Sequence, residues 1–312
     1  MTEFGFIENI ARMFGRVPMR GFEGIGDDCA VLPLDDERAL VFTTDLLVED
    51  VHFLRSAASA FEIGRKSLAV NLSDVAAMGA EPVASLLSIA LTGESAGEWA
   101  EEFMQGYRNL SEQWSVPLVG GDTSRSKSGV TINVTAIGRV KLSDIKRRSA
   151  ARAGDVVVVG GPLGGSAAGL RDIMAGRGDT ALAHLHRNPE PQIAEGLWLG
   201  SRREVHAMMD LSDGLVSDLG HILRASGVGA EIETERIPTV ATIEDAVCGG
   251  EDYKLLFTVA AEAADDLLRE FAERFGYEAR AIGNIAGAHT GETVWLRNGR
   301  PITPDWYGFT HF

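Results

Sequence analysis

Cysteine is nearly absent: only Cys29 and Cys248 occur, far apart and in no CxxC pair. That excludes a disulfide framework and a cysteine-built zinc site, and it fits a reducing compartment. No apolar run reaches the roughly 18 residues of a membrane-spanning helix. The opening Met1-Thr2-Glu3 lacks the basic n-region of a secretory signal, so a cytoplasmic location is expected. Cations are also scarce, with 29 Lys and Arg against 45 Asp and Glu and a net charge of −16. Such a surface repels nucleic acid and anionic membrane, so neither is expected as a partner. The phosphate-binding signatures are missing too: there is no GxxxxGK(S/T), no GxGxxG with its ribose-binding acid, and no HRD and DFG set.

What remains is a 312-residue chain with 45% hydrophobic and 24% charged residues, long enough to bury a core without metal or disulfide staples. Strand-like runs alternate with helical periodicity. Strands are expected at Ala39–Thr44, Val83–Leu91, Val116–Val119 and Val130–Val140, and a helix at Phe61–Met78. Trp99, Phe103, Tyr107, Leu110 and Trp114 recur at three- and four-residue steps, which places them on the buried face of another helix. A second series begins at Asp155–Val159. It continues with helices near Ser166–Met174, Gln192–Arg203, Leu215–Ala225 and Ala261–Phe275, and strands near Ala230–Ile232, Tyr253–Val259 and Thr293–Leu296. Mixed elements with a break near residue 150 predict two α/β domains, 1–150 and 151–312.

The placement of the acids carries more information than their number. Asp27 and Asp28 follow a glycine turn, Asp45 ends VFTTD, Asp74 sits inside the small and apolar run AVNLSDVAAMG, and Asp122 ends PLVGGD. Asp210 and Asp213 frame Met209–Gly214, and Glu251 and Asp252 follow Gly249-Gly250. An isolated carboxylate in apolar company is costly, and no Lys or Arg adjoins these in sequence. Three of them, Asp45, Asp122 and Asp210, come straight after strand-like runs, whose ends commonly open on a ligand crevice. Hard divalent cations are the natural compensation, and Mg²⁺ binds through a few carboxylates plus substrate phosphate. Blander readings compete: Asp213 or Ser212 as a helix N-cap, and Asp27-Asp28 as turn residues. Asp74 has no such capping role.

Two weaker signals point to phosphate. Gly160-Gly161-Pro162-Leu163-Gly164-Gly165-Ser166 leads from a strand into a helix, as an anion-binding turn or an empty β–α turn would. Lys141, Lys146, Arg147, Arg148 and Arg152 form a basic island, read either as an exposed linker or as the source of an arginine for phosphate.

The segments GIGDDCAVL, TTDLLVEDVHF, KSLAVNLSDVAAMGAEP, LVGGDTSRS, GGPLGGSAAGL, DLSDGLVSDLGHI, GGEDYKLLFTV and DWYGFTHF together resemble the bacterial thiamine-monophosphate kinase family. They run in order from about Phe4 to Phe312. The resemblance implies the two-domain α/β (α+β) fold of the aminoimidazole ribonucleotide synthetase superfamily, with the N-terminal domain pairing strands across a homodimer axis. It implies transfer of the ATP γ-phosphate to thiamine monophosphate, with several Mg²⁺ ions. It also implies metal ligation by Asp28, Thr43, Thr44, Asp45, Asp74, Asp122, Asp210 and Asp213, among which Asp74, Asp122 and Asp213 are the catalytic candidates. ATP contacts would come from Gly121, Arg148 and Ser212, and thiamine contacts from His52, Glu251 and Trp306. Rival readings are another ATP-dependent synthetase of the superfamily or a non-catalytic maturation scaffold. The selenophosphate-type synthetase lacks its N-terminal reactive cysteine here, and the scaffold its C-terminal one.

Overall fold

The computed structural model describes residues 3–309 except Arg16. The expected tail motif therefore extends, at 310–312, outside the described residues. In chain order the first half contains α1 (Glu3–Phe14), β1 (Ala30–Pro33), β2 (Arg38–Val48), α2 (Ala60–Ala77), β3 (Glu81–Leu91), α3 (Glu98–Trp114), β4 (Leu118–Arg125) and β5 (Thr131–Lys141). Its sheet has the order β1-β2-β5-β3-β4. In the second half lie β6 (Val156–Val159), α4 (Gly165–Met174), α5 (Ala181–Arg187), α6 (Ile193–Gly200), β7 (Val205–Asp210), α7 (Leu215–Ser226), β8 (Gly229–Glu233) and α8 (Ile243–Cys248). They are followed by β9 (Leu255–Val259), α9 (Ala264–Phe275), β10 (Arg280–Ala286), β11 (Thr293–Arg297) and β12 (Arg300–Ile302). The second sheet runs β12-β11-β8-β10-β6-β9-β7. Two α+β domains result, each with its own sheet.

The helix α2 is the axle of the molecule. Ser59 and Glu62 form a reciprocal capping box at its start, satisfying two otherwise orphaned donors. Its residues carry little amphipathic contrast because it is covered nearly all round. It packs under β2 and β5 on one side and against α3, α6 and β7 on the others. Glycines permit the closest approaches: a Cβ on Gly64 would lie 2.0 Å from the Phe103 carbonyl oxygen, and one on Gly196 2.3 Å from that of Ala76. The aromatic stripe of α3 behaves as its spacing predicts, with Phe103, Tyr107 and Leu110 fully buried and Trp99 and Trp114 packed on the same core.

One face of the first sheet is thus covered by α2 and α3. Its other face carries half-exposed or exposed residues such as Phe42, Thr44 and Leu46 on β2. The edge strand β4 is exposed along its whole length, and its outer backbone groups have no strand partner among the described residues. Among the described residues, no helix is long and apolar enough to cross a membrane.

Candidate active site

Five carboxylates converge where α2 crosses between the two sheets. Asp74 comes from α2, Asp45 from β2, Asp28 from the turn before β1, Asp210 from the end of β7, and Asp213 from the loop after it. Asp28, Asp74 and Asp210 each offer an oxygen within 4.8 Å of the others. The cluster is knitted from behind. Thr43 Oγ1 donates to Asp74 Oδ2 at 2.5 Å, Ser73 Oγ to Asp210 Oδ2 at 2.5 Å, and the Asp45 amide to Asn71 Oδ1 at 3.1 Å.

Among the described residues, one cation reaches this cluster from the chain itself. Arg148 Nη2 lies 2.6 Å from Asp28 Oδ1, and the Arg148 amide donates to Asp27 Oδ1 at 2.7 Å. The middle of the basic island is therefore no exposed linker, though Lys141 and Arg152 are exposed. Lys146 is buried with its ammonium on the Arg202 and Val205 carbonyls, and Arg147 pairs with Glu23. One guanidinium cannot balance so many acids. Burial pushes Asp210 up to about 8, with the charge of Asp28 adding to it. Asp45 rises to about 6, through burial and then Asp213. Asp74 is pushed well up by burial, with Asp45 and Asp210 adding to it. Asp28 is raised by burial despite Arg148. Its Oδ2 is buried with no hydrogen-bond partner, an orphaned anionic acceptor aimed into the cluster. Hard oxygen donors, mutual repulsion and this orphan atom fit a divalent cation such as Mg²⁺.

A cleft of about 750 Å³ adjoins the cluster at Asp45 and Asp213, and its lining also includes Ser212, His52, His186 and Glu251. A smaller chamber of about 80 Å³ continues past Glu251, between Leu54, Ile63, Lys66 and Leu170. His52 Nδ1 accepts from the Val48 amide at 3.0 Å, which fixes its ring at the wall.

Several expectations need correction. Asp45 and Asp122 do not end strands: β2 runs on to Val48 and β4 to Arg125, so only Asp210 closes its strand. Gly121 and Asp122 lie on β4, three strand spacings from β2, or about 14 Å. Within one chain they cannot share an ion with Asp45. Thr44 points to the face opposite Thr43, as strand alternation requires, and bonds the Val134 carbonyl at 3.1 Å. Trp306 packs edge-on against Trp295, with centroids 5.0 Å apart, and the tail residues that line the cleft are Tyr307, Gly308 and Phe309. Asp213 and Ser212 do not cap α7. Gly214 is its N-cap, and Asp218 Oδ2 takes the Asp213 and Gly214 amides at 3.1 Å. The glycine-rich turn is no open anion cradle, because Asp252 accepts the Gly164 and Ser166 amides at 2.6 and 3.1 Å. Sequence reasoning passed over Asp218, Lys66 and His186. Asp218 and Lys66 sit in ordinary helical patterns, and only the fold turns them inward.

Fold and site together define a two-domain α+β protein of the AIR synthase class, with a carboxylate cluster at the mouth of a substrate-sized cleft. Residues 26–140 match the AIR synthase related protein N-terminal domain, and residues 152–295 its C-terminal domain. The thiamine-monophosphate kinase of Escherichia coli K12 is 38% identical over 97% of both chains. A solved structure described as AaThiL complexed with AMPPCP and TMP superposes with a TM-score of 0.85 at 32% identity, covering 100% of this chain and 97% of that one. The thiamine-monophosphate kinase of Stenotrophomonas maltophilia K279a gives 0.76 at 36%, covering 96% and 98%. The chain belongs to the thiamine-monophosphate kinase family.

Proposed function

We propose that this chain transfers the γ-phosphoryl group of ATP to thiamine monophosphate, giving ADP and thiamine diphosphate, with Mg²⁺ required. The observation that carries this reading is the continuity of an under-compensated carboxylate cluster with a cleft whose far end holds Glu251 and His52. The acceptor is already a phosphate oxygen, so no strong base is needed. The bond from the γ-phosphorus to the β–γ bridging oxygen breaks as one to the acceptor oxygen forms, and ADP leaves with the electron pair. Repulsion between two polyanions is the obstacle, and positioning with charge neutralisation is the remedy. Bound Mg²⁺ supplies that neutralisation and polarises the transferring group.

Asp28, Asp45, Asp74, Asp210 and Asp213 hold the cations in this reading, with the Thr43 hydroxyl fixing Asp74. Arg148 and Ser212 face the nucleotide phosphates, and His52 and Glu251 the thiamine end. The segment 1–150 carries most of the metal and ATP contacts, and 151–312 completes the nucleotide and substrate site. A homodimer accounts for the outlying residues. A second copy laid against the exposed β4 edge and the open sheet face brings its own Gly121 and Asp122 toward Thr44. The reaction belongs in the cytoplasm, where ATP and a reducing milieu coexist.

Incubation with MgATP and thiamine monophosphate, followed by chromatography, tests the reading. ADP and thiamine diphosphate in equal amounts are expected. Free phosphate or AMP instead indicates a synthetase and contradicts it.

A further inference from the structure

Glu251 finds its counter-charge within the chain, and the way it is held is unusual. Its backbone is left-handed at φ 63°, as is that of Tyr253 at φ 49°, a conformation that non-glycine residues rarely adopt. The segment is pinned across the nucleotide-side loop: the Glu251 amide donates to the Ser212 carbonyl at 2.8 Å and the Tyr253 amide to that of Leu211 at 2.9 Å. Backbone strain is kept only where surroundings over-determine it, and here they aim one carboxylate. On that carboxylate, Lys66 Nζ lies 2.9 Å from Oε1 and His186 Nδ1 3.4 Å from Oε2. Lys66 is only 3% exposed. A buried ammonium on α2 is costly unless paired, so this charge is spent on Glu251 and cannot swing elsewhere. Ser166 Oγ, 2.9 Å from His186 Nδ1, holds the imidazole in turn. The nearby Arg187 is occupied by Glu62 at 2.9 Å.

We infer that Lys66 and His186 are positioning residues. They clamp the back of the Glu251 carboxylate so that its remaining lone pairs accept the amino group of the substrate's aminopyrimidine. This rests on the thiamine-monophosphate reading and names how its far end is recognised. The clamp also sets the charge balance of the inner chamber. With Glu251 ionised, the Lys66 ammonium is neutralised and a cationic thiazolium is not repelled. With either partner altered alone, the chamber carries an unbalanced charge.

The test is steady-state kinetics of Lys66→Met and Lys66→Arg, varying each substrate with the other saturating. Lys66→Met is expected to raise KM for thiamine monophosphate roughly tenfold, the size of one charge-assisted hydrogen bond. Its kcat and its KM for ATP should stay within about twofold, and Lys66→Arg should recover most of the loss. An unchanged KM for thiamine monophosphate, or equal rises for both substrates, overturns the clamp. Should Lys66→Met not fold, the cycle with Glu251→Gln decides. The double variant, which leaves no stranded charge, is expected to match Glu251→Gln alone, and additive penalties overturn the inference. An unaltered chain that makes no thiamine diphosphate sinks the functional reading itself. An active chain with an unshifted Lys66→Met sinks only the clamp.

Discussion

The two ends of the cleft use the same chemical group in opposite ways. At the cluster, Asp45, Asp74 and Asp210 are pushed up by burial and by neighbouring carboxylates. At the far end, burial also pushes Glu251 up, but the Lys66 ammonium, helped by His186, more than offsets this and holds it below the usual range. One end therefore calls for cations from outside the chain, and the other presents a finished anion to a ligand. A carboxylate's role is set by whether the fold supplies its counter-charge.

The sharpest way to break this contrast is to remove a cluster acid. Asp74→Asn is expected to lower turnover by roughly a hundredfold or more while leaving the metal-free fold no less stable, since it relieves repulsion. Full activity at saturating Mg²⁺ would contradict the cluster's role.

Asp122 tests whether the cluster is completed by a second copy. Asp122→Asn alone is expected to be as inactive as Asp74→Asn. Mixed and refolded, the two chains form dimers in which one site has both aspartates intact, and about a quarter of native activity should return. No recovery would place Asp122 in its own chain's site or outside it.

Stability against pH separates the two ends next. The cluster acids have folded pKa values above their unfolded ones, so the folded state holds more protons between about pH 4 and 8. Metal-free protein should therefore lose stability as pH rises through this window, with Asp210 contributing up to about 8. Mg²⁺ at a hundred times its dissociation constant should restore about 2.7 kcal/mol. Glu251 works the other way: its stabilisation is present above its unfolded pKa and is lost as pH falls through the lowered folded value. Thermal melts with and without Mg²⁺ read both arms, and a metal-free melting point rising from pH 5 to 8 would reverse the assignment for the cluster.

The smallest effects concern the tail. With Trp306 packed on Trp295, Trp306→Ala is expected to cost up to about 3 kcal/mol of stability, whereas Tyr307→Ala should raise KM for thiamine monophosphate about threefold with little change in melting temperature. A Trp306→Ala variant of native stability with a raised KM would mean that the tail turns this ring toward the substrate.

Much of this was readable beforehand, though not always for the right reason. Asp74 stood out because an acid within an apolar helix has no local use, and α2 does bury it against both sheets. Asp45 and Asp122 read as strand ends in the sequence, yet both lie inside strands. Their chemistry was legible, but strand length was not, because Asp45 interrupts the apolar run of β2 before Leu46-Leu47-Val48, and Gly120 to Arg125 continue β4 without an apolar pattern. The short helices α5 and α8 and the strand β1 carry too few residues for a period to emerge. Lys66 and His186 were invisible for a different reason: their significance is a contact with Glu251 across 185 and 65 residues of chain, which no local pattern encodes.

The central claim is that the cluster of Asp28, Asp74 and Asp210 takes its missing positive charge from divalent cations while Glu251 takes none. Anomalous diffraction from crystals soaked in Mn²⁺ with a non-hydrolysable ATP analogue measures this directly. Peaks within coordination distance of Asp74 and its neighbours, and none at Glu251, are expected. An empty cluster at saturating Mn²⁺, or a peak on the Glu251 carboxylate, would contradict it.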